Sequence, residues 1–318
     1  MINRQDSLHF SSEQSDVPMK NVIIILGPTA SGKTALAVAL AKKINGAIIS
    51  ADSRQVYRQM DIGTGKDLKE YEDIPYYLID ICEPGEKYNL SDFQHDFQKA
   101  YFDIVKSGKQ PILCGGTGLY IQSVIQEKPY SHVPVNPELR EELEILSREE
   151  LQIRLDQQTI PPDLKIDNST RKRMIRGLEI LAGLDKYGRT AELVPIPFTY
   201  QAFGIDPPVE IRRTKISQRL KQRIDQGLVE EVEHLLSHGV THDDLQYYGL
   251  EYKYISYYLS GDLNREACFT KLETEIHRYA KRQMTYFRKM EKDNVQIHWL
   301  EQGSTAQMCR EILNIKKG

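Results

Sequence analysis

Gly27-Pro28-Thr29-Ala30-Ser31-Gly32-Lys33-Thr34 is the stretch whose residue types and spacing point most directly to chemistry. The G-x-x-x-x-G-K-T spacing lets backbone N–H groups wrap a phosphate, sets a lysine ammonium against it and offers a threonine hydroxyl to Mg2+. It reads as a grip for a polyphosphate and does not say ATP; a glycine turn with no ligand is the plain alternative. Asp52, in Ala51-Asp52-Ser53-Arg54-Gln55, is an acid that could take a proton or order Mg2+ through water. Capping the following turn is its ordinary use. Gly115-Gly116-Thr117-Gly118 reads as a second anion nest with the Thr117 hydroxyl as donor, or as a tight turn. Asp80 is a further candidate for a metal-side carboxylate. No metal ligation by histidine is expected.

Elements must bring these groups together. The apolar run 22–26 before the first loop and the alanine-rich run 35–41 after it read as strand, loop and helix, and the helix N-terminus adds its dipole. Residues 47–52 read as a second strand with Asp52 at its carboxyl end, and 76–81 as a third. A helix is predicted over 91–107 with Ser91 as N-cap, then a strand at 111–114 running into the second glycine turn. This alternation predicts an α/β fold, a doubly wound P-loop parallel-sheet core with helices on both faces. Open parallel sheets bind ligands at the carboxyl ends of their strands, so the three motifs are predicted to face one crevice.

From Lys128 prolines accumulate and a charged helical stretch covers 138–156, which reads as a small helical insertion domain. The predicted organisation is a flexible leader at 1–20, a core at 21–130 and 196–318, and an insertion at 131–195. Within the returning core, 198–205 reads as a strand, 209–237, 244–260 and 264–290 as helices, and 295–300 as a last strand before a short helix.

With 318 residues, 40% hydrophobic and 27% charged, the chain has the composition of an ordinary globular protein. The first twenty residues are polar, without the apolar core of a secretory signal, and no run of eighteen apolar residues occurs. Four cysteines lie far apart with no C-x-x-C pair, which suggests neither a zinc site nor a disulfide framework and fits the cytoplasm. A net charge of -3 carries no global signature of nucleic-acid binding, so such a partner must be held by local patches. Three acid-free basic stretches supply them, at 171–176, 212–223 and 278–289. In the second, Ile216, Leu220, Ile224 and Leu228 recur every fourth residue and are expected to face inward, leaving Lys215, Arg219 and Arg223 as a neighbouring stripe. Such clusters suit an RNA backbone or a diphosphate, or are simply solvated helix faces. Tyr279, Tyr286 and Phe287 in the third could stack on bases or pack in the core.

Together these residues resemble the tRNA dimethylallyltransferase family, also called tRNA isopentenyltransferases. The resemblance spans 22–289 and rests on the glycine loop, Asp52-Ser53-Arg54-Gln55-Val56-Tyr57, Asp61-Ile62-Gly63-Thr64 and Gly115-Gly116-Thr117-Gly118-Leu119-Tyr120. Residues 173–179, 227–232 and 278–283 add to it. It implies that Gly27, Thr29, Ala30, Ser31, Gly32, Lys33 and Thr34 hold the diphosphate of dimethylallyl diphosphate, with Mg2+ at Thr34. The implied acceptor is N6 of the adenosine just 3′ of the anticodon, in tRNAs reading codons that begin with U. Asp52 matches the family's base, Gln55 would help hold the adenine, and Lys33, Thr117 and Arg219 would spread the charge on departing diphosphate. Asp52, Ser53, Arg54, Gln55 and Thr117 are implied tRNA contacts, as are Arg140, Lys172, Arg173 and Arg176, and Arg278, Lys281 and Arg282. The implied enzyme is a cytoplasmic monomer that works on the anticodon stem-loop and needs no membrane.

The chain departs from the family pattern in three places. Residues 151–168 lack the usual Asp-Pro segment, which predicts a reduced insertion; Tyr248-Gly249-Leu250-Glu251-Tyr252-Lys253 replaces the usual Ile-Gly-Tyr-Lys-Glu; and Ile276-His277 stands where Thr-Arg is usual. Other readings of the same loop are an adenylate isopentenyltransferase acting on free AMP or ATP, a small-molecule kinase or ATPase, and a tRNA-binding protein without activity. The helical insertion and basic tail argue against the first, because a free nucleotide needs neither.

Overall fold

The computed structural model describes residues 19–126, 130, 133–162, 164–188 and 198–316. Residues 1–18 of the expected leader and the expected ends of the insertion, 131 and 195, lie outside them.

The strands are β1 (Val22–Leu26), β2 (Gly46–Ser50), β3 (Tyr76–Tyr77), β4 (Gln110–Gly115), β5 (Tyr200–Gly204) and β6 (Ile297–Trp299). They form one parallel sheet in the order β3-β2-β4-β1-β5-β6. The helices are α1 (Lys33–Ile44), α2 (Leu90–Lys106), α3 (Gly118–Ile125), α4 (Pro137–Glu144), α5 (Arg148–Asp156) and α6 (Arg171–Tyr187). They continue as α7 (Val209–Asp225), α8 (Leu228–Ser237), α9 (His242–Tyr247), α10 (Leu250–Leu259), α11 (Arg265–Lys292) and α12 (Thr305–Ile315).

Every residue of β1 and β2 is buried, as a parallel sheet covered on both faces requires. On one face Ile23, Ile25, Ile48 and Ile112 pack with Leu36 and Leu40 of α1 and with Met308 and Ile312 of α12. Ile24 and Leu26 point the other way and are equally shielded from solvent. The predicted α/β core is therefore the observed one.

The chain forms two compact units: Met1–Tyr88, Asp96–Gln122 and Pro197–Gly318 make the first, and Asn89–His95 with Ser123–Ile196 the second. In the second, Leu143, Leu151, Leu155, Met174, Ile175 and Leu178 of α4, α5 and α6 build a separate apolar cluster.

Several predicted elements differ in their bounds from what their patterns suggest, each for a local reason. The strand at 76–81 pairs over two residues only, because Leu78 (φ 63) and Asp80 (φ 56) turn left-handed. The helix at 91–107 starts at Leu90 and its cap is Asn89, whose Oδ1 accepts the N–H groups of Ser91 and Asp92 at 2.8 and 3.3 Å. Ser147 and Glu150 form a capping box that starts a new helix inside 138–156. Gly227 (φ 102) divides α7 from α8, and Gly249 (φ 140) precedes α10.

Candidate active site

Register decides what meets. Leu26 of β1 pairs with Gly115 of β4 and Gly204 of β5, and Ser50 of β2 pairs with Cys114, so the segments after β1, β2 and β4 leave the sheet at one edge. The Asp52 segment and the second glycine turn are then stitched together. Thr117 N donates to Ala51 O at 3.1 Å, and Ser53 N donates to Thr117 Oγ1 at 3.2 Å. A Cβ on Gly115 would lie 2.2 Å from Ala51 O, so this contact needs glycine. Asp52 Oδ1 accepts the Arg54 N–H at 2.9 Å, the turn-capping use. Gln55 is held at both ends of its amide: Oε1 accepts from Ser50 Oγ at 3.0 Å and Nε2 donates to Gly65 O at 3.1 Å. Arg54 lies over the Tyr247 ring at 5.2 Å.

The first glycine loop turns through Ala30 (φ 59) and Gly32 (φ 88) and delivers the chain into α1, whose N-terminus has no side-chain cap. Its N–H groups and positive dipole end are left for an anion. The Ser31 hydroxyl, in a residue 5% exposed, has no hydrogen-bond partner. An orphaned buried hydroxyl inside a phosphate-type loop fits a bound oxyanion. Lys33 Nζ folds back to donate to Pro28 O at 2.6 Å. Burial pushes this ammonium down to about 8, with nearby Asp52 opposing the shift and Arg219 adding to it.

The loop opens on a cleft of about 380 Å³, closed opposite by Lys215, Gln218, Arg219 and Gln222 of α7. Arg219 Nη2 donates to Gly65 O at 3.1 Å and to Asp67 Oδ2 at 2.9 Å, which leaves it at the cleft wall. Arg223, in the same stripe, also lines the cleft but is buried, donating to Gly63 O at 3.1 Å and Glu251 Oε1 at 2.8 Å. Ile216, Leu220 and Leu228 are buried as their spacing predicts.

A second lock holds the segment 61–66 that receives these arginines. The Glu231 carboxylate accepts three successive backbone N–H groups, from Asp61 (2.8 Å), Ile62 (2.7 Å) and Gly63 (2.9 Å), and the Tyr252 hydroxyl at 2.7 Å. Lys66, 1% exposed, donates to Tyr57 O and Asp61 Oδ1, both at 2.6 Å, and to Asp80. Asp80 is thus a partner of a buried lysine and does not stand at the phosphate loop, which corrects its reading as a metal-side carboxylate. Across the sheet edge, Gln283 of α11 joins the two glycine loops: its Oε1 accepts the Thr29 N–H at 2.8 Å and its Nε2 donates to Gly116 O at 3.0 Å. Burial pushes the Tyr279 phenol up, with nearby Asp52 adding to the rise and Arg54 opposing it.

Residues 55–290 match the family model described as IPP transferase, and 20–74 a model described as isopentenyl transferase. The chain belongs to the IPP transferase family. It is 50% identical over 281 residues to tRNA dimethylallyltransferase 2 of Syntrophotalea carbinolica, spanning 88% of this chain and 94% of that one. A comparable likeness, 50% over 289 residues, holds for tRNA dimethylallyltransferase 1 of Parabacteroides distasonis, with 88% and 92% covered. The solved tRNA isopentenylpyrophosphate transferase of Bacillus halodurans superposes with a TM-score of 0.69 at 32% identity, over 94% of this chain and 96% of that one.

The remaining expected site residues divide by environment. In the second unit Arg140 makes a two-pronged contact with the fully buried Glu179 carboxylate, at 2.9 and 2.7 Å. Arg176 donates to Val133 O at 2.5 Å and lies 3.6 Å from the same carboxylate. Both arginines thereby serve the packing of α4 and α6. Arg173 pairs with Asp167 at 2.7 Å on the surface, and Lys172 is exposed. On α11 of the first unit, Arg278, Lys281 and Arg282 are exposed, with Arg278 paired to Glu275 at 2.5 Å. Among the described residues no group of three or more His, Cys, Asp or Glu could hold a metal ion. His234 of α8 and His238, which caps that helix, do stand four residues apart, ring centroids 4.0 Å apart, with His238 Nδ1 on His234 O. Lys66, Glu231 and Gln283 were the groups with no assigned role in the sequence pattern; the latter two lie inside stretches that carried the family resemblance.

Proposed function

We propose that this chain transfers a dimethylallyl group from dimethylallyl diphosphate to N6 of the adenosine 3′ of the anticodon, in tRNAs reading codons that begin with U, and releases diphosphate. The observation that carries this reading is the joining, at one sheet edge, of a phosphate-type loop bearing an orphaned hydroxyl to a segment bearing an acid. The names of the relatives, tRNA dimethylallyltransferases, support the same substrate.

The chemistry follows from the groups present. An adenine N6 is a poor nucleophile, so its proton must leave as it attacks. A bond forms between N6 and the allylic carbon while the bond from that carbon to the diphosphate oxygen breaks; the N6 proton goes to Asp52, and the electron pair departs with diphosphate. Lys33, Arg219 and the Thr117 hydroxyl would be the donors that receive that growing charge. The backbone N–H groups of the loop and the Ser31 hydroxyl would hold the diphosphate beforehand. Gln55, fixed at both ends of its amide, would form a wall for the adenine rather than adapt to it.

Thr34 offers a hard hydroxyl oxygen beside the loop, and Mg2+ is commonly held by one or two protein oxygens plus substrate phosphates, so the donor set fits this ion. When bound, Mg2+ would neutralise diphosphate oxygens. The adenosine must leave its stack to react, which costs a few kcal/mol. Exposed Lys172, Arg173, Arg278, Lys281 and Arg282 would hold the anticodon stem-loop by its phosphates, while Arg140 and Arg176 would shape the helical unit, residues 131–195, that meets it. We take the working enzyme to be a cytoplasmic monomer; among the described residues no helix is long and apolar enough to cross a membrane.

The test is incubation of the purified chain with labelled dimethylallyl diphosphate, Mg2+ and either unmodified tRNA or AMP. Label is expected in tRNA. Label in AMP alone, or phosphate release from ATP with no prenyl transfer, would overturn the proposal.

A further inference from the structure

We infer that Gln283 is a positioning residue that sets the spacing between the diphosphate loop and the Asp52 segment; the inference rests on the reaction proposed above. Its side chain is 7% exposed and is used at both ends, as acceptor for the Thr29 N–H and as donor to Gly116 O. Gly116 leads into Thr117, which holds Ser53 and Ala51. One amide thus links the cradle of the leaving group to the acid through four hydrogen bonds. The neighbouring backbone is cut to admit it: a Cβ on Gly116 would lie 2.4 Å from Gln283 Nε2. One turn further along α11, Tyr286 lies where a Cβ on Gly118 would be, 2.4 Å from its ring, and its hydroxyl donates to Gln122 at 2.8 Å. The helix that carries the amide is therefore seated directly on the second glycine turn.

Only a group with an acceptor at one end and a donor at the other can satisfy both partners. A glutamate carboxylate would still accept the Thr29 N–H but would turn a second acceptor toward Gly116 O. A protonated glutamate restores the donor. Burial raises a carboxyl pKa above its usual value, so low pH favours the form that keeps the donor.

Single-turnover prenyl transfer is measured with saturating substrates from pH 5.5 to 8.5 for wild type, Gln283→Glu and Gln283→Met, and each variant's rate is divided by that of wild type at the same pH. Misplacing reacting groups by about 1 Å can cost on the order of 100-fold, so the Gln283→Glu ratio is expected near one at low pH and about 10- to 100-fold lower at high pH. The Gln283→Met ratio is low at every pH, and exchange of the Thr29 amide proton is accelerated in it. Gly116→Ala, whose Cβ would lie 2.4 Å from Gln283 Nε2 and so push the amide aside, gives the same slowed transfer. Ratios for both Gln283 variants within about 2-fold of one across the range, or a Gln283→Glu ratio that is lower at low pH than at high pH, would overturn the inference. If wild type transfers nothing, the reaction itself fails, and unchanged Thr29 exchange in Gln283→Met then overturns the link separately.

Discussion

Lys33→Met is expected to stabilise the empty protein while removing its grip on diphosphate. Burial holds the Lys33 ammonium near 8, against an ordinary 10.5. At 1.36 kcal/mol per pH unit that displacement corresponds to about 3 kcal/mol. Lys33 is only half-buried and gains a bond to Pro28 O, so about 1–2 kcal/mol is the expected net cost of its charge. The sign follows from where the proton sits. The folded value lies below the unfolded one, so between about pH 8 and 10.5 the unfolded chain binds the extra proton; this contribution is fully present above 10.5 and lost as pH falls through 8. At pH 7 wild type therefore bears the full burden and methionine none. At roughly 2–3 °C per kcal/mol, Lys33→Met should melt about 2–6 °C higher at pH 7, with the gap narrowing at pH 9.5. Inorganic diphosphate should raise the melting temperature of wild type by mass action and that of the variant far less. Calorimetry at both pH values, with and without diphosphate, reads all of this. A variant that melts below wild type at pH 7 without ligand would refute the reasoning.

Other changes separate chemistry from scaffolding. Asp52→Ala should fold normally and slow single-turnover transfer by roughly 100- to 10,000-fold, the usual worth of a general base; an unchanged rate would remove Asp52 from that role. Gly65→Ala should lower stability by about 2 kcal/mol or more in urea titration. Its Cβ would lie 1.8 Å from Arg223 Nη2 and 2.2 Å from Arg219 Nη2 at a φ of +61, and diphosphate affinity should fall with it. Arg140→Ala leaves the buried Glu179 carboxylate with Arg176 at 3.6 Å, and should cost about 2 kcal/mol of stability. Lys172→Ala should leave stability unchanged, weaken tRNA binding and reduce the slope of log affinity against log salt by about one.

What could be read from the chain beforehand follows the range of the interactions involved. The phosphate loop and the parallel core are specified locally, by a fixed spacing and by apolar runs with turn residues between them, and both are found where the pattern places them. Asp80 could not be placed, because its partner Lys66 is fourteen positions away and the strand expected to carry it ends in two left-handed residues. The burial of Arg223 on the α7 stripe was illegible for a similar reason: Glu251 and Gly63, from two distant segments, meet it beside the cleft. Gln283 finds its partners 254 and 167 positions earlier, a distance over which periodicity carries no information. Where a prediction ran through a glycine with a positive φ, as at Gly227, one helix became two.

The most direct test of the central claim is mass spectrometry of nucleosides from tRNA of cells with and without this gene. Adenosine carrying a dimethylallyl group on N6, in tRNAs reading codons that begin with U, is expected to disappear with the gene and to return with the wild-type copy. Identical modification in both strains, with no other enzyme of this activity in the cell, would contradict it.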